Sequence, residues 1–213
     1  MTAPQIAAAG RPTLDASKEL AVRILEAARD EFLARGIDGA SIEGIAAAAG
    51  CSKLTIYRRF GSKNELFMAL MRARTPDYAA QFTIDTTQAP EQVLYQLGLA
   101  IAAFFFRPDN LRFIRMLAAE MSRVEGLPEL MRDEAAQFRK PVIQCLEALK
   151  ASGKGRFEDS TLAAIQFINL CVLGHFYLIA GYSEAAVSPE QQEKLVRSAV
   201  ALFVSTYFPS NTG

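Results

Sequence analysis

Between residues 52 and 63 the chain reads SKLTIYRRFGSK, with Lys53, Arg58, Arg59 and Lys63, the phenol of Tyr57 and no acid. Its local charge of +4 stands out in a chain whose 23 Lys/Arg balance 23 Asp/Glu. Such a segment is either a solvated helix face or the docking surface for an anion. The residue types suit a nucleic acid. Tyr57, Arg58 and Lys63 can donate to phosphate oxygens, Lys53 can donate to guanine O6 and N7, and Leu54 or Thr55 can touch a thymine methyl. Arg59 suits either a base edge or the backbone. Ser41 and Ser52 stand where helices would begin, and backbone N–H groups at helix N-termini also favour phosphate.

Catalytic chemistry is poorly supplied by contrast. Trp is absent and His occurs once, at His175, so a two-His metal site is impossible and a Ser-His-Asp triad would depend on that one residue. Gly153-Lys154-Gly155 lacks the preceding strand and the spacing of a phosphate-binding loop. Cys51, Cys145 and Cys171 are widely spaced and odd in number, which fits buried thiols of a reducing, cytoplasmic setting better than a disulfide framework. No catalytic residue, metal or cofactor is expected. The opening thirteen residues, MTAPQIAAAGRPT, lack the charged and apolar regions of a signal peptide and read as a flexible tail. The apolar stretch IQFINLCVLGHFYLIAG at 165–181 is short for a membrane span and reads as a buried or interface helix.

The elements that would position the basic segment are all helical. Leu20, Ile24, Ala28 and Phe32 recur at four-residue spacing and predict a helix from about Ser17 to Arg35, closed by Gly36. Ser41 caps a short second helix that Gly50 ends, and Ser52 caps a third that runs to Phe60. Ser62-Lys63-Asn64-Glu65 fits a capping box opening a fourth. Helices two and three around Gly50 make a helix-turn-helix, with Ala46 and Ala49 as the small face on which the third helix docks. Further on, Pro90, Pro108 and Pro128 fall in first turns of new helices, Pro141 inside a helical pattern predicts a kink, and Ser188-Pro189-Glu190-Gln191 opens a last helix. The expected class is all-α, with a flexible tail at 1–14, a three-helix DNA-binding domain at 15–62 and a larger helical domain at 63–213.

Ser41, Ile45-Ala46, Ala49-Gly50-Cys51-Ser52, Ile56-Tyr57, Phe60, Ser62-Lys63 and Leu66, in their observed spacing, resemble the DNA-binding domain of the TetR (tetracycline-repressor-like) family. Ser41 stands where Thr is commoner, and Arg59 where His or Tyr often sits. The remainder has a more general likeness to the AefR-type C-terminal domain. The resemblance implies a homodimeric transcription regulator, usually a repressor, released from a near-palindromic DNA operator by a small molecule. Its C-terminal domain would bind that ligand and dimerise through its last two long helices.

For the ligand, aromatic and Met side chains of the C-terminal half supply candidates: Phe105, Phe113, Met116, Phe138 and Phe167, with Asn169, His175 and Tyr177 as polar groups. Such stripes are more often plain core. A small apolar or amphipathic ligand is the expected occupant. Gly174 and Gly181, with the small residues of 195–204, suggest the dimer interface. A regulator of the same fold without a ligand, or a helical small-molecule-binding protein or enzyme, are the alternatives.

Overall fold

The computed structural model describes residues 14–79, 85–153, 155–172 and 187–208. Among these residues there are nine helices and no strand: α1 (Leu14–Gly39), α2 (Ile42–Ala49), α3 (Lys53–Phe60), α4 (Lys63–Ala79), α5 (Pro90–Phe105), α6 (Pro108–Glu120), α7 (Leu127–Ala151), α8 (Ser160–Val172) and α9 (Pro189–Tyr207). The backbone divides into two compact units, Met1–Leu70 and Met71–Gly213, with the division inside α4.

In the first unit, the four-residue spacing of α1 places Ile24, Ala28 and Phe32 in the core, all fully buried, while Leu20 is half-buried. Helical geometry stops at Gly36, whose φ of 67° and ψ of 178° separate the long helix from a final turn. Ile45, Ala46 and Ala49 of α2 and Ile56 of α3 are buried in the same unit. The opening of α4 completes it: Leu66 and Phe67 are fully buried, and the Phe67 ring meets that of Phe32 edge-on at 5.4 Å. Burying a side chain of this size stabilises by about 1.5–3 kcal/mol, so the first turns of α4 are part of what holds this unit together.

The second unit has its core among α5, α7, α8 and α9. Leu94, Leu97 and Ile101 of α5, Leu146 of α7, Phe167 of α8 and Phe203 of α9 are fully or almost fully buried there. Close approach of α5 to α9 requires Gly98: a Cβ there would lie 2.7 Å from Val196 Cγ1 and 3.3 Å from Cys171 Sγ. Pro90 and Pro108 open α5 and α6, and Pro128 lies in the first turn of α7. Ser188 and Gln191 form both halves of a capping box on α9. α7 continues through Pro141 as a single helix, although the imide cannot donate to the carbonyl one turn back. Pro76 likewise lies within α4.

Candidate nucleic-acid interface

Helix α3 is presented by the cap that ends α2 and the cap that opens α3. Gly50 adopts left-handed backbone angles (φ 67°, ψ 39°), a conformation that a Cβ opposes. Its N–H and that of Cys51 bond back to the carbonyls of Ala47 (3.2 Å) and Ala46 (3.0 Å), which closes α2 as a Schellman motif. Two residues later the Ser52 hydroxyl accepts from Thr55 N–H at 3.1 Å and opens α3. Ser41 does the same for α2, accepting from Gly44 N–H at 3.1 Å, and its own N–H donates to Glu31 Oε1 at 3.0 Å. The start of α2 is thereby tied to α1. Ile56 is the buried residue of α3, Thr55 and Phe60 are half-buried, and Lys53, Leu54, Tyr57, Arg58 and Arg59 are exposed.

The outward residues divide into two groups. Leu54 (64 % exposed), Tyr57 (41 % exposed) and Arg58 project from the helix. Arg58 is exposed and makes no hydrogen bond or ion pair with the described residues. The others are engaged within the protein. Lys53 Nζ lies 2.6 Å from Glu43 Oε1 on the first turn of α2. That hydrogen bond, followed by the charge attraction, raises the Lys53 pKa and lowers that of Glu43. Arg59 donates to Ser17 Oγ at 3.1 Å, and Thr55 Oγ1 shares a hydrogen bond with Ser52 Oγ. Lys63 donates to the carbonyls of Asp38 (2.8 Å) and Ala40 (3.2 Å). Two of its three N–H groups thus tie the start of α4 to the turn before α2.

The candidate ligand residues are dispersed in the second unit. A cavity of about 220 Å³ is walled by Phe104 and Phe105 of α5, Phe113 of α6, and Glu134 and Phe138 of α7, with Met71 of α4 also on its wall. Phe105, Phe113 and Phe138 are therefore brought together. Met116 is half-buried and not on that wall. Phe167 is fully buried against Phe203, with ring centroids 5.0 Å apart, and serves the core. Asn169 is exposed in a separate depression between α8 and α9. His175 and Tyr177, like Gly174 and Gly181, lie outside the described residues.

Sequence reasoning overlooked Glu134 and Asn110 on the cavity. The signal was present in the spacing: Met131, Glu134, Ala135 and Phe138 share one face of α7, and Asn110, Phe113, Ile114 and Leu117 share one face of α6. It also overlooked the Glu43–Lys53 pair, which bridges two crossing helices at no regular spacing. Among the described residues no cluster of three or more His, Cys, Asp or Glu could hold a metal ion, and no helix is long and apolar enough to cross a membrane.

Comparison with known proteins agrees with this geometry. Residues 24–70 match the model of bacterial regulatory proteins of the tetR family, and residues 92–209 match that of the AefR-like transcriptional repressor C-terminal domain. The HTH-type transcriptional regulator SrpR of Pseudomonas putida is 32% identical over 91% of this chain and 87% of its own length. The HTH-type transcriptional repressor SCO4008 of Streptomyces coelicolor is 43% identical over 53% of this chain, and the match spans 56% of that protein. Among solved structures, a TetR-family regulator from Mesorhizobium loti superposes with a TM-score of 0.83 over 92% of this chain and all of its own, at 24% identity. With its exposed α3 behind a glycine turn and its larger helical second unit, the chain belongs to the TetR family of transcriptional regulators and carries an AefR-like C-terminal domain.

Proposed function

We propose that this protein is a cytoplasmic, homodimeric repressor that reads a near-palindromic DNA operator with α3 and leaves it when a small apolar or amphipathic ligand fills the cavity walled by Phe105, Phe113 and Phe138. The observation that carries the DNA-binding part is the exposed face of α3, where Leu54, Tyr57 and Arg58 project from a helix capped at both ends. Tyr57 and Arg58 contact phosphates, and Lys53, Leu54 and Thr55 at the N-terminal end of the helix reach base edges. Ser41 and Ser52 add phosphate contacts from the helix starts, and Arg59 and Lys63 lend positive charge at the flanks.

Dimerisation is supported by an apolar surface on α8 and α9. Leu162 and Leu202 are 50% and 56% exposed, and the depression between these helices is lined by Leu170, Leu202 and Asn169. Two copies joined there would offer two recognition helices to half-sites about one DNA turn, roughly 34 Å, apart. Ligand release requires an effector that binds the DNA-incompetent arrangement better than the competent one. Met71 places α4 on the cavity wall, and the same helix contributes Leu66 and Phe67 to the core of the first unit. α4 is therefore the candidate element for carrying the ligand's effect.

The test is fluorescence anisotropy of the purified protein on the DNA flanking its own coding region, at two salt concentrations, with random duplex as competitor. Tight, salt-sensitive binding that random DNA does not displace is expected. Binding equal to that of random DNA, in protein shown to be ligand-free by mass spectrometry, would reject that region as its operator.

A further inference from the structure

The cavity in the second unit is selective in its chemistry. Its wall is built from the aromatic end of α5, one face of α6 and one face of α7. Phe104, Phe105 and Phe138 form a cluster with ring centroids 5.2–5.8 Å apart. Asn110 is buried and donates to the carbonyl of Phe104, which fixes the turn from α5 into α6 and with it the positions of these rings. Glu134 is the one ionisable side chain on the described wall. Resting on the reading of this cavity as the effector site, we propose that it takes an aromatic organic cation of about two fused rings, with Glu134 as the counter-charge and the phenylalanine faces as the platform.

Charge, desolvation and size favour such a ligand. An anionic ligand would meet a carboxylate and no cationic side chain on the described wall. A cation meets that carboxylate together with the negative faces of several rings, which attract it further. Burial, opposed by nearby Arg72 and reinforced by Asp133, raises the Glu134 pKa above the ordinary carboxylate value. A carboxylate held partly away from water gains more from a ligand cation than one in bulk solvent does. Arg72, the nearby cation, is exposed on α4, so solvent screens its attraction for Glu134. An apolar cavity of about 150 Å³ holds benzene, so the 220 Å³ here has room for more than one ring.

The test is titration calorimetry of the intact protein with three probes of one shape: 2-naphthylmethylammonium, 2-naphthylmethanol and 2-naphthoate. The expected order is ammonium, alcohol, carboxylate, with the ammonium binding about tenfold tighter than the alcohol. Glu134→Gln should remove most of that preference while leaving the affinity for the alcohol within about twofold. Phe138→Ala should weaken both ammonium and alcohol, which locates them in this cavity. Equal affinity for ammonium and alcohol in the native protein, or a preference that survives Glu134→Gln, would overturn the cation proposal and leave the effector-site reading standing. If none of the three probes binds, or if Phe138→Ala leaves their binding unchanged, the cation proposal falls, whereas the effector-site reading falls only if neither filling this cavity nor changing its lining residues alters DNA binding.

Discussion

The Lys53 ammonium of α3 is held 2.6 Å from the Glu43 carboxylate of α2, so the lysine proposed to read a base is paired within the protein. Both side chains are more than half exposed, and such a pair is easily exchanged for another partner. If Lys53 reads a base as proposed, it exchanges Glu43 for that base and leaves Glu43 beside a phosphate backbone that repels it. Glu43→Gln is therefore expected to raise affinity for all duplexes and to steepen the salt dependence by about one counterion. Anisotropy titrations over a salt series measure both. Weaker binding by the variant would mean that Glu43 instead sets Lys53 in its reading position.

Arg58 and Lys63 should separate cleanly by experiment, although they share charge and sequence neighbourhood. Arg58 has no partner among the described residues, whereas Lys63 holds the carbonyls of Asp38 and Ala40. Arg58→Ala should leave the melting temperature unchanged, weaken binding to every sequence alike and lower the salt slope by about one. Lys63→Ala should lower the melting temperature by a few degrees, about what the loss of one or two modest hydrogen bonds gives. Calorimetric melts beside DNA titrations distinguish the two. Equal thermal shifts would refute the division of roles.

Gly98 is a packing requirement of the second unit. A methyl group there would lie 2.7 Å from Val196 Cγ1, well inside van der Waals contact. Gly98→Ala is expected to destabilise by about 1–3 kcal/mol, the usual cost of overpacking. Adding Val196→Ala should recover part of that loss by making room for the methyl, whereas two independent lesions would add. Urea denaturation of the two single variants and the double variant decides between these outcomes.

The three cysteines should differ sharply in reactivity. Burial pushes the Cys145 thiol up to about 11 and that of Cys171 up to about 12. Cys51, at the turn between α2 and α3, is only half-buried. At pH 8 a disulfide reagent should therefore titrate one thiol in the native protein and three after unfolding, since the thiolate is the attacking species and needs access. Labelling followed by peptide mass mapping identifies the site. Rapid native labelling of Cys171 would contradict the packing of α8 against α5 and α9.

Much of this architecture was legible in the sequence because its signals are local. The helix ends at Gly50, Ser52 and Ser188 need only a glycine or a hydroxyl at the right position, and each forms the expected cap. The four-residue rhythm of Ile24, Ala28 and Phe32 reports a buried face directly. What escaped depends on how helices cross. Lys53 and Lys63 read alike as basic residues, yet one finds a carboxylate on α2 and the other a pair of backbone carbonyls. Phe167 and Phe138 read alike as aromatic stripes, yet one fills the core and the other a cavity wall. Pro141, where the sequence predicts a kink, lies within α7, whose Val142, Leu146 and Leu149 are fully buried just beyond it.

The central claim is that α3 reads DNA sequence as one of a symmetric pair. Its most direct measurement is selection of bound sequences from a random duplex library, with native protein and with Leu54→Ala, Thr55→Ala and Arg58→Ala variants in parallel. The account predicts enrichment of an inverted repeat whose half-sites lie about one helical turn apart. It further predicts changed base preference for the Leu54 and Thr55 variants, and loss of overall yield without changed preference for Arg58→Ala. A native pool no different from the input, or an enriched site that all three variants select unaltered, would contradict it.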